Sequence, residues 1–388
     1  MQLTDSNAAF TRLTGFLNKI CGEYFSTGNG VVFRMVWQDG EPVQYGQGTP
    51  VFTIVVKDKI GVSALASLDA TSILEAYMLD HIDIQGDISG IFAFRNMTTD
   101  SHPFRYFWSL AKPLIFGQTR MDRSGIATHY DHPPEFYLAF LDKRHRSYSH
   151  GIFLRDDESL EDAMTHKLDF ALEQINVKPG DRVLDIGGGW GIFSEYAGKK
   201  GIRVTSLTIS QESEKYLNAL IAREKLPCDV VNCHLYEYHP GISYDAIVNL
   251  GVTEHLPDYA RTLQVYQRLL RPGGKIYLDA SACREKYKFH TFINRYIWQN
   301  NTSLLCLHDY LKQLAKTPFQ LLGVWDDRWN YYLTAKNWAQ NFEARREFII
   351  GQSSEAIFRQ FQIYLWGTVD TFGSDIMQAY RWVIQLPD

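Results

Sequence analysis

Glycines at 187, 189 and 191 follow the apolar run Val183-Leu-Asp-Ile186, and the turn residues Pro179-Gly180-Asp181 precede it. The pattern reads as a strand entering a tight glycine loop that opens a helix. A dinucleotide fingerprint keeps two residues between its second and third glycines, so that the loop wraps a pyrophosphate. Here Trp190 alone separates Gly189 from Gly191. The tighter loop suits a nucleoside ligand without phosphate, and S-adenosylmethionine (SAM) is one, needing only close backbone approach to its methionine part. The same string also serves as a bare strand-to-helix turn, so its neighbours must decide.

Asp185 ends that strand, where a carboxylate can accept hydrogen bonds from the SAM ammonium or cap the following helix. The next strand closes on Thr208 and Ser210 in place of the acidic residue that usually holds ribose hydroxyls, and these two could bond the nucleoside. A later strand ends Asn249-Leu-Gly-Val-Thr-Glu-His255, which sets Gly251 and Glu254 at the carboxyl edge where open α/β sheets bind ligands.

The elements that must position these residues alternate. A helix expected over 160–175 leads into a strand at 182–186, with further strands at 202–207, 229–233, 245–250 and 274–279. Helices are expected near 191–199, 211–224 and 258–270, giving an α/β, doubly wound, mostly parallel sheet. Between 286 and 341 dense Tyr, Phe and Trp suggest an inserted helical substrate pocket. Upstream, alternating residues at 31–57 read as short strands, and 67–78 and 88–114 as helices. The domain expectation is therefore an α+β unit at 1–115, a linker at 116–127 and the catalytic domain at 128–388.

The chain of 388 residues is long enough for two cores. With 45% hydrophobic and 21% charged residues and a net charge of -5, it has a globular composition and no basic surplus for nucleic acid. Aromatic residues reach 14%, which suits a pocket for an apolar or cationic group as well as a dense core. No signal peptide or membrane-spanning run is expected, and five scattered cysteines point to reduced thiols in the cytoplasm. Cys228, Cys233, His234 and His239 fit no standard zinc spacing, so no metal is expected.

Read together, these motifs resemble the cyclopropane fatty acid synthase family of SAM-dependent methyltransferases. The resemblance runs through His129-Tyr-Asp131, Tyr148-Ser-His-Gly151, the glycine loop, Leu207-Thr-Ile-Ser210, Gly251-Val-Thr-Glu-His255, Pro272-Gly-Gly274, Phe292-Ile-Asn-Arg-Tyr-Ile297, Tyr331 with Trp338, and Tyr364-Leu-Trp-Gly367. It also takes in the N-terminal unit through Trp37-Gln-Asp-Gly40 and Glu75-Ala-Tyr-Met78. It implies methyl transfer from SAM to the cis double bond of a phospholipid acyl chain at the inner membrane surface, with only transient membrane contact. A homodimer is left open. Attack on the methyl leaves a carbocation, which aromatic faces stabilise and shield from water until a base removes a proton and the ring closes. Tyr148 and Ser149 join the cofactor set by the same resemblance, and His129 and Tyr130 lie at the substrate entry.

In that family the base is a bound bicarbonate, and Glu254 and Tyr331 match its site. Two positions depart. His150 stands where the family has Cys, and Asp279 where it has His. A carboxylate at 279 beside Glu254 would repel an anion. His150, near Asp279 or Glu254, could act as the base instead. The carbocation could also lose a proton elsewhere, leaving a methyl-branched or methylene chain, or the acceptor could be a small molecule. A non-catalytic lipid- or SAM-binding protein is the reading from another class. Gly188 replaces the family's usual Cys, which the backbone contacts of the loop should tolerate.

Overall fold

The computed structural model describes residues 2–26, 30–100, 132–286, 290–298 and 303–388. The linker expected at 116–127 and the residues His129 and Tyr130 lie outside them. Contacts divide the chain into two units, one of 1–103, 290–297 and 346–370, the other of 104–289, 298–345 and 371–388. Consecutive domains were expected. Two later segments join the first unit instead, because Phe292 and Ile363 are buried in its core.

In the first unit, strands β1 (Phe33–Trp37), β2 (Val43–Tyr45), β3 (Phe52–Val56) and β4 (Ile82–Gly86) form a sheet in the order β2-β1-β3-β4. Alternation in β3 buries Phe52, Ile54 and Val56 on one face, as the period of two requires. The helix Gln2–Ser26, not anticipated from sequence, contributes Phe10, Leu13, Leu17 and Cys21 at helical spacing to the same core. The helix expected at 67–78 is Ala70–Met78, and a second helix, Lys59–Ser67, precedes it; Asp69 and Asp58 cap them. Of the stretch expected at 88–114, the described part is a 3-10 segment, Ile88–Met97.

The second unit holds a seven-stranded sheet. Its strands are β5 (Arg182–Ile186), β6 (Arg203–Thr208), β7 (Cys228–Asn232), β8 (Tyr244–Leu250), β9 (Leu270–Ala282), β10 (Gln320–Asp326) and β11 (Gln378–Gln385), in the order β10-β11-β9-β8-β5-β6-β7. The five strands β5 to β9 run parallel, as expected, while β10 and β11 are antiparallel additions. The segment read as a helical insert thus also supplies an edge strand. Near-continuous burial along β5 and β8 follows from helices covering both faces. The strand order reverses between β5 and β8, which makes their carboxyl ends the switch point where such sheets bind ligands. No helix among the described residues is long and apolar enough to cross a membrane.

Candidate active site

The loops after β5 and β8 meet at that switch point. Gly187 has φ +79°, and a Cβ on it would lie 2.3 Å from Val252 Cγ2, so the two loops touch because residue 187 has no side chain. Gly187 and Gly188 both donate to Leu207 O at 2.9 Å, tying the loop to β6. A Cβ on Gly188 would lie 2.7 Å from Ser206 Cβ, and one on Gly191 2.5 Å from Leu220 Cδ2. At Gly189 (φ +50°) the nearest atom to such a Cβ is 3.7 Å away. The loop is therefore packed behind and open at 189, a backbone cradle that fits the methionine part of SAM.

The other cofactor candidates are more committed than the sequence implies. Asp185 is 2% exposed and accepts from Ser206 Oγ at 2.8 Å. Burial pushes its carboxyl up to about 7. Thr208 Oγ1 accepts from Ser210 N, and Ser210 caps the helix Gln211–Glu224 by accepting from Ser213 N. Gly251 packs on Ser149, with a Cβ placed 3.1 Å from Ser149 Cβ.

On the chemical side, Ser281 donates to Glu254 Oε1 through both its amide and its hydroxyl at 2.7 Å. Glu254 Oε2 is buried and has no hydrogen-bond partner among the described residues. Burial first, and the nearby Asp279, raise its proton affinity against the two bonds from Ser281.

Two expectations for positions 150 and 279 need correction. His150 pairs with neither Asp279 nor Glu254. Its Nε2 lies 3.0 Å from Asp327 Oδ2, both groups being buried. Asp327 also takes Asn330 Nδ2 at 2.7 Å and an ion pair from Arg381. Burial opposes ionisation of Asp327, yet His150, Arg381 and Asn330 together hold its carboxyl below the usual range. An anionic Asp327 makes Nε2 the protonated nitrogen and leaves His150 Nδ1, which has no partner among the described residues, as an acceptor.

The repulsion expected from Asp279 is offset by a residue that sequence reading overlooked. Lys167 Nζ stands 3.0 Å from Asp279 Oδ2, each side chain at most 1% exposed, and also donates to Ser149 Oγ. The signal was there to read. In the helix Leu160–Ile175 the buried positions are Leu160, Ala163, Met164, Lys167, Leu168, Ala171 and Ile175, so a lysine occupies the apolar stripe. Asp327, at the mouth of the helix Arg328–Ala344, carried no such mark.

Aromatic rings connect the two sides. Trp190 of the glycine loop lies 5.9 Å from Tyr137, which is 5.9 Å from Tyr148. Tyr148 continues to Trp338 at 5.5 Å, and Trp338 to Tyr331 at 6.3 Å. Tyr331 stacks on Phe372 at 4.2 Å and meets the His150 ring at 5.0 Å. Cys228, Cys233, His234 and His239 form no metal-ligand group among the described residues; Cys306, His308 and Asp309 come close enough for one, but Lys312 already lies 3.2 Å from Asp309.

The family model described as mycolic acid cyclopropane synthetase matches residues 117–382. The chain belongs to this family. A second model, a domain of unknown function, matches residues 20–103. Similar proteins include the sphingolipid C9-methyltransferase of Candida albicans, 24% identical over 72% of this chain and 58% of that protein, and sphingolipid C9-methyltransferase B of Emericella nidulans, 26% identical over 80% and 64%. The chain thus spans about three fifths of these relatives' length. Cyclopropane mycolic acid synthase 3 of Mycobacterium tuberculosis is 27% identical over 64% of this chain and 91% of that protein. Among solved structures, mycolic acid cyclopropane synthase CmaA1 with SAH and CTAB superposes with a TM-score of 0.63 at 23% identity, covering 68% of this chain and 98% of that one. The likeness shows a shared Rossmann-type methyltransferase fold.

Proposed function

We propose that this protein is a SAM-dependent C-methyltransferase that methylates a carbon–carbon double bond in the hydrocarbon chain of a membrane lipid, leaving a methyl-branched chain that keeps one double bond. The observation that carries the reading is the run of aromatic rings from Trp190 to Tyr331, ending at one buried proton acceptor, His150 Nδ1. The glycine loop and Gly251 would hold SAM, which when bound supplies an electrophilic methyl group. A double bond that gives its π electrons to a new C–C bond leaves positive charge on the neighbouring carbon. Tyr148, Trp338 and Tyr331 offer π faces to that charge and exclude water from it. One proton must then leave for charge to balance, and His150, oriented by Asp327, takes it.

Which proton leaves decides the product. The residues at 150 and 279 depart from the family pattern, so the acceptor is an imidazole rather than an anion held between them, and relatives named for C9-methylation of sphingolipids support a branched product. The cyclopropane product is the second reading, supported by the family model and by the retained Glu254 and Tyr331. The test incubates purified protein with methyl-labelled SAM and vesicles of cis-unsaturated phospholipid or sphingolipid. A gain of one CH2 with a retained olefinic NMR signal is expected; the same gain with that signal lost supports the ring. No label in any lipid refutes both.

A further inference from the structure

Among the described residues Lys167 is the one fully buried lysine, and it makes two contacts that belong to different parts of the site. A buried ammonium is costly unless paired, so its placement calls for a reason. One contact is Ser149, between Tyr148 and His150 on the loop that carries the proposed base. The other is Asp279 on β9, whose carboxylate makes no aligned hydrogen bond among the described residues and whose strand neighbour Ser281 holds Glu254. The far side of the same loop is already fixed: Gly151 N donates to Thr334 Oγ1 at 3.0 Å, and Phe153 N to Asn330 Oδ1 at 2.8 Å. On the near side Asp142 holds the Ser147 amide and Ser147 Oγ bonds the Ser149 backbone, while the Ser149 side chain is held by Lys167.

We propose that Lys167 is a positioning residue of the active site, its ammonium joining the Tyr148–His150 loop to Asp279 and so setting where Ser149 and His150 stand relative to the glycine loop and Glu254. The inference rests on the methyltransferase reading for its catalytic consequence but not for its structural one. Ser149 lies against Gly251 at the cofactor edge, so loss of the tether loosens the cofactor side and misplaces the base together. A lysine serving only to neutralise Asp279 would do neither once that charge is gone.

The test compares Asp279→Asn, Lys167→Met with Asp279→Asn, and Ser149→Ala, measuring melting temperature, calorimetric affinity for S-adenosylhomocysteine, and kcat. The double variant removes both charges of the pair and should melt no lower than Asp279→Asn, which leaves the buried ammonium unpaired. Its affinity for S-adenosylhomocysteine should be at least threefold weaker, and its kcat at least tenfold lower, than those of Asp279→Asn alone. Ser149→Ala keeps the ion pair, folds independently of the lysine change, and should lose affinity likewise; adding it to the double variant should cost no more than twofold further, because both remove one tether. A double variant equal to Asp279→Asn in affinity and rate overturns the proposal, as do losses that multiply. Failure of methyl transfer in the wild-type protein would sink the functional reading while the affinity measurements still decide the role of Lys167.

Discussion

Replacing Asp327 by Asn tests the proposed base most directly. The two side chains have nearly the same shape, so the packing around His150, Asn330 and Arg381 should persist. What changes is the charge. The bond from His150 Nε2 becomes a neutral one, and a charge-assisted hydrogen bond is worth about 1.5–3 kcal/mol. That energy holds the imidazole in the tautomer with Nδ1 free; at about 1.4 kcal/mol per decade its loss predicts a kcat lower by roughly 10- to 150-fold. Arg381 also loses its buried partner, so stability should fall by about 3 kcal/mol. The assay follows labelled methyl transfer into lipid at saturating SAM, beside melting temperature and calorimetric binding of S-adenosylhomocysteine. Affinity should stay within threefold, and His150→Ala should abolish the further effect of the Asp327 change. A kcat within threefold of wild type in a folded Asp327→Asn variant would refute the assignment of His150 as base.

Glu254→Gln keeps an acceptor for both bonds from Ser281 but removes the ionisable oxygen, so turnover should drop by about 100-fold or more with S-adenosylhomocysteine binding nearly intact; an unchanged rate would remove Glu254 from the chemistry. Asp185 titrates near 7 when folded and near 3.8 when unfolded. Between those values the native state keeps a proton that the unfolded chain has lost, so its contribution is full below pH 4 and lost as pH rises through 7, at up to about 1.4 kcal/mol per pH unit. Asp185→Asn should flatten that slope in melting experiments, and an unaltered slope would show an ionised Asp185. Gly187→Ala should destabilise the fold through Val252, whereas Gly189→Ala should cost about 1 kcal/mol for its positive φ and chiefly weaken S-adenosylhomocysteine binding; equal melting losses in the two variants would contradict the open cradle at 189.

The parallel strands and their helices were legible because each announces itself locally, through apolar runs, glycine turns and caps such as Ser210. The helix Gln2–Ser26 was not, since its apolar residues are diluted by polar ones, and β10 and β11 were not, since antiparallel additions at a sheet edge leave no βα rhythm. Glu254 and Tyr331 could be named from motif resemblance. Their partners could not. The pairing of His150 with Asp327 spans 177 residues, and no local pattern reports a contact at that separation. Lys167 lay between these cases, visible as a charged residue in an apolar stripe, but its partner on β9 required the fold.

The space behind Gly188 also bears on how this sequence can change. Ser206 fills it, bonded to Asp185 and to Ser194, so a side chain at 188 and the present residue at 206 exclude one another. A cysteine introduced at 188 alone should be harmful, and less so once 206 is glycine and the Leu217 side chain gives way, which is epistasis between the glycine loop and β6. Mutational paths through this loop are therefore ordered, with 206 shrinking before 188 grows. In a library the two codons form one unit, to be randomised together.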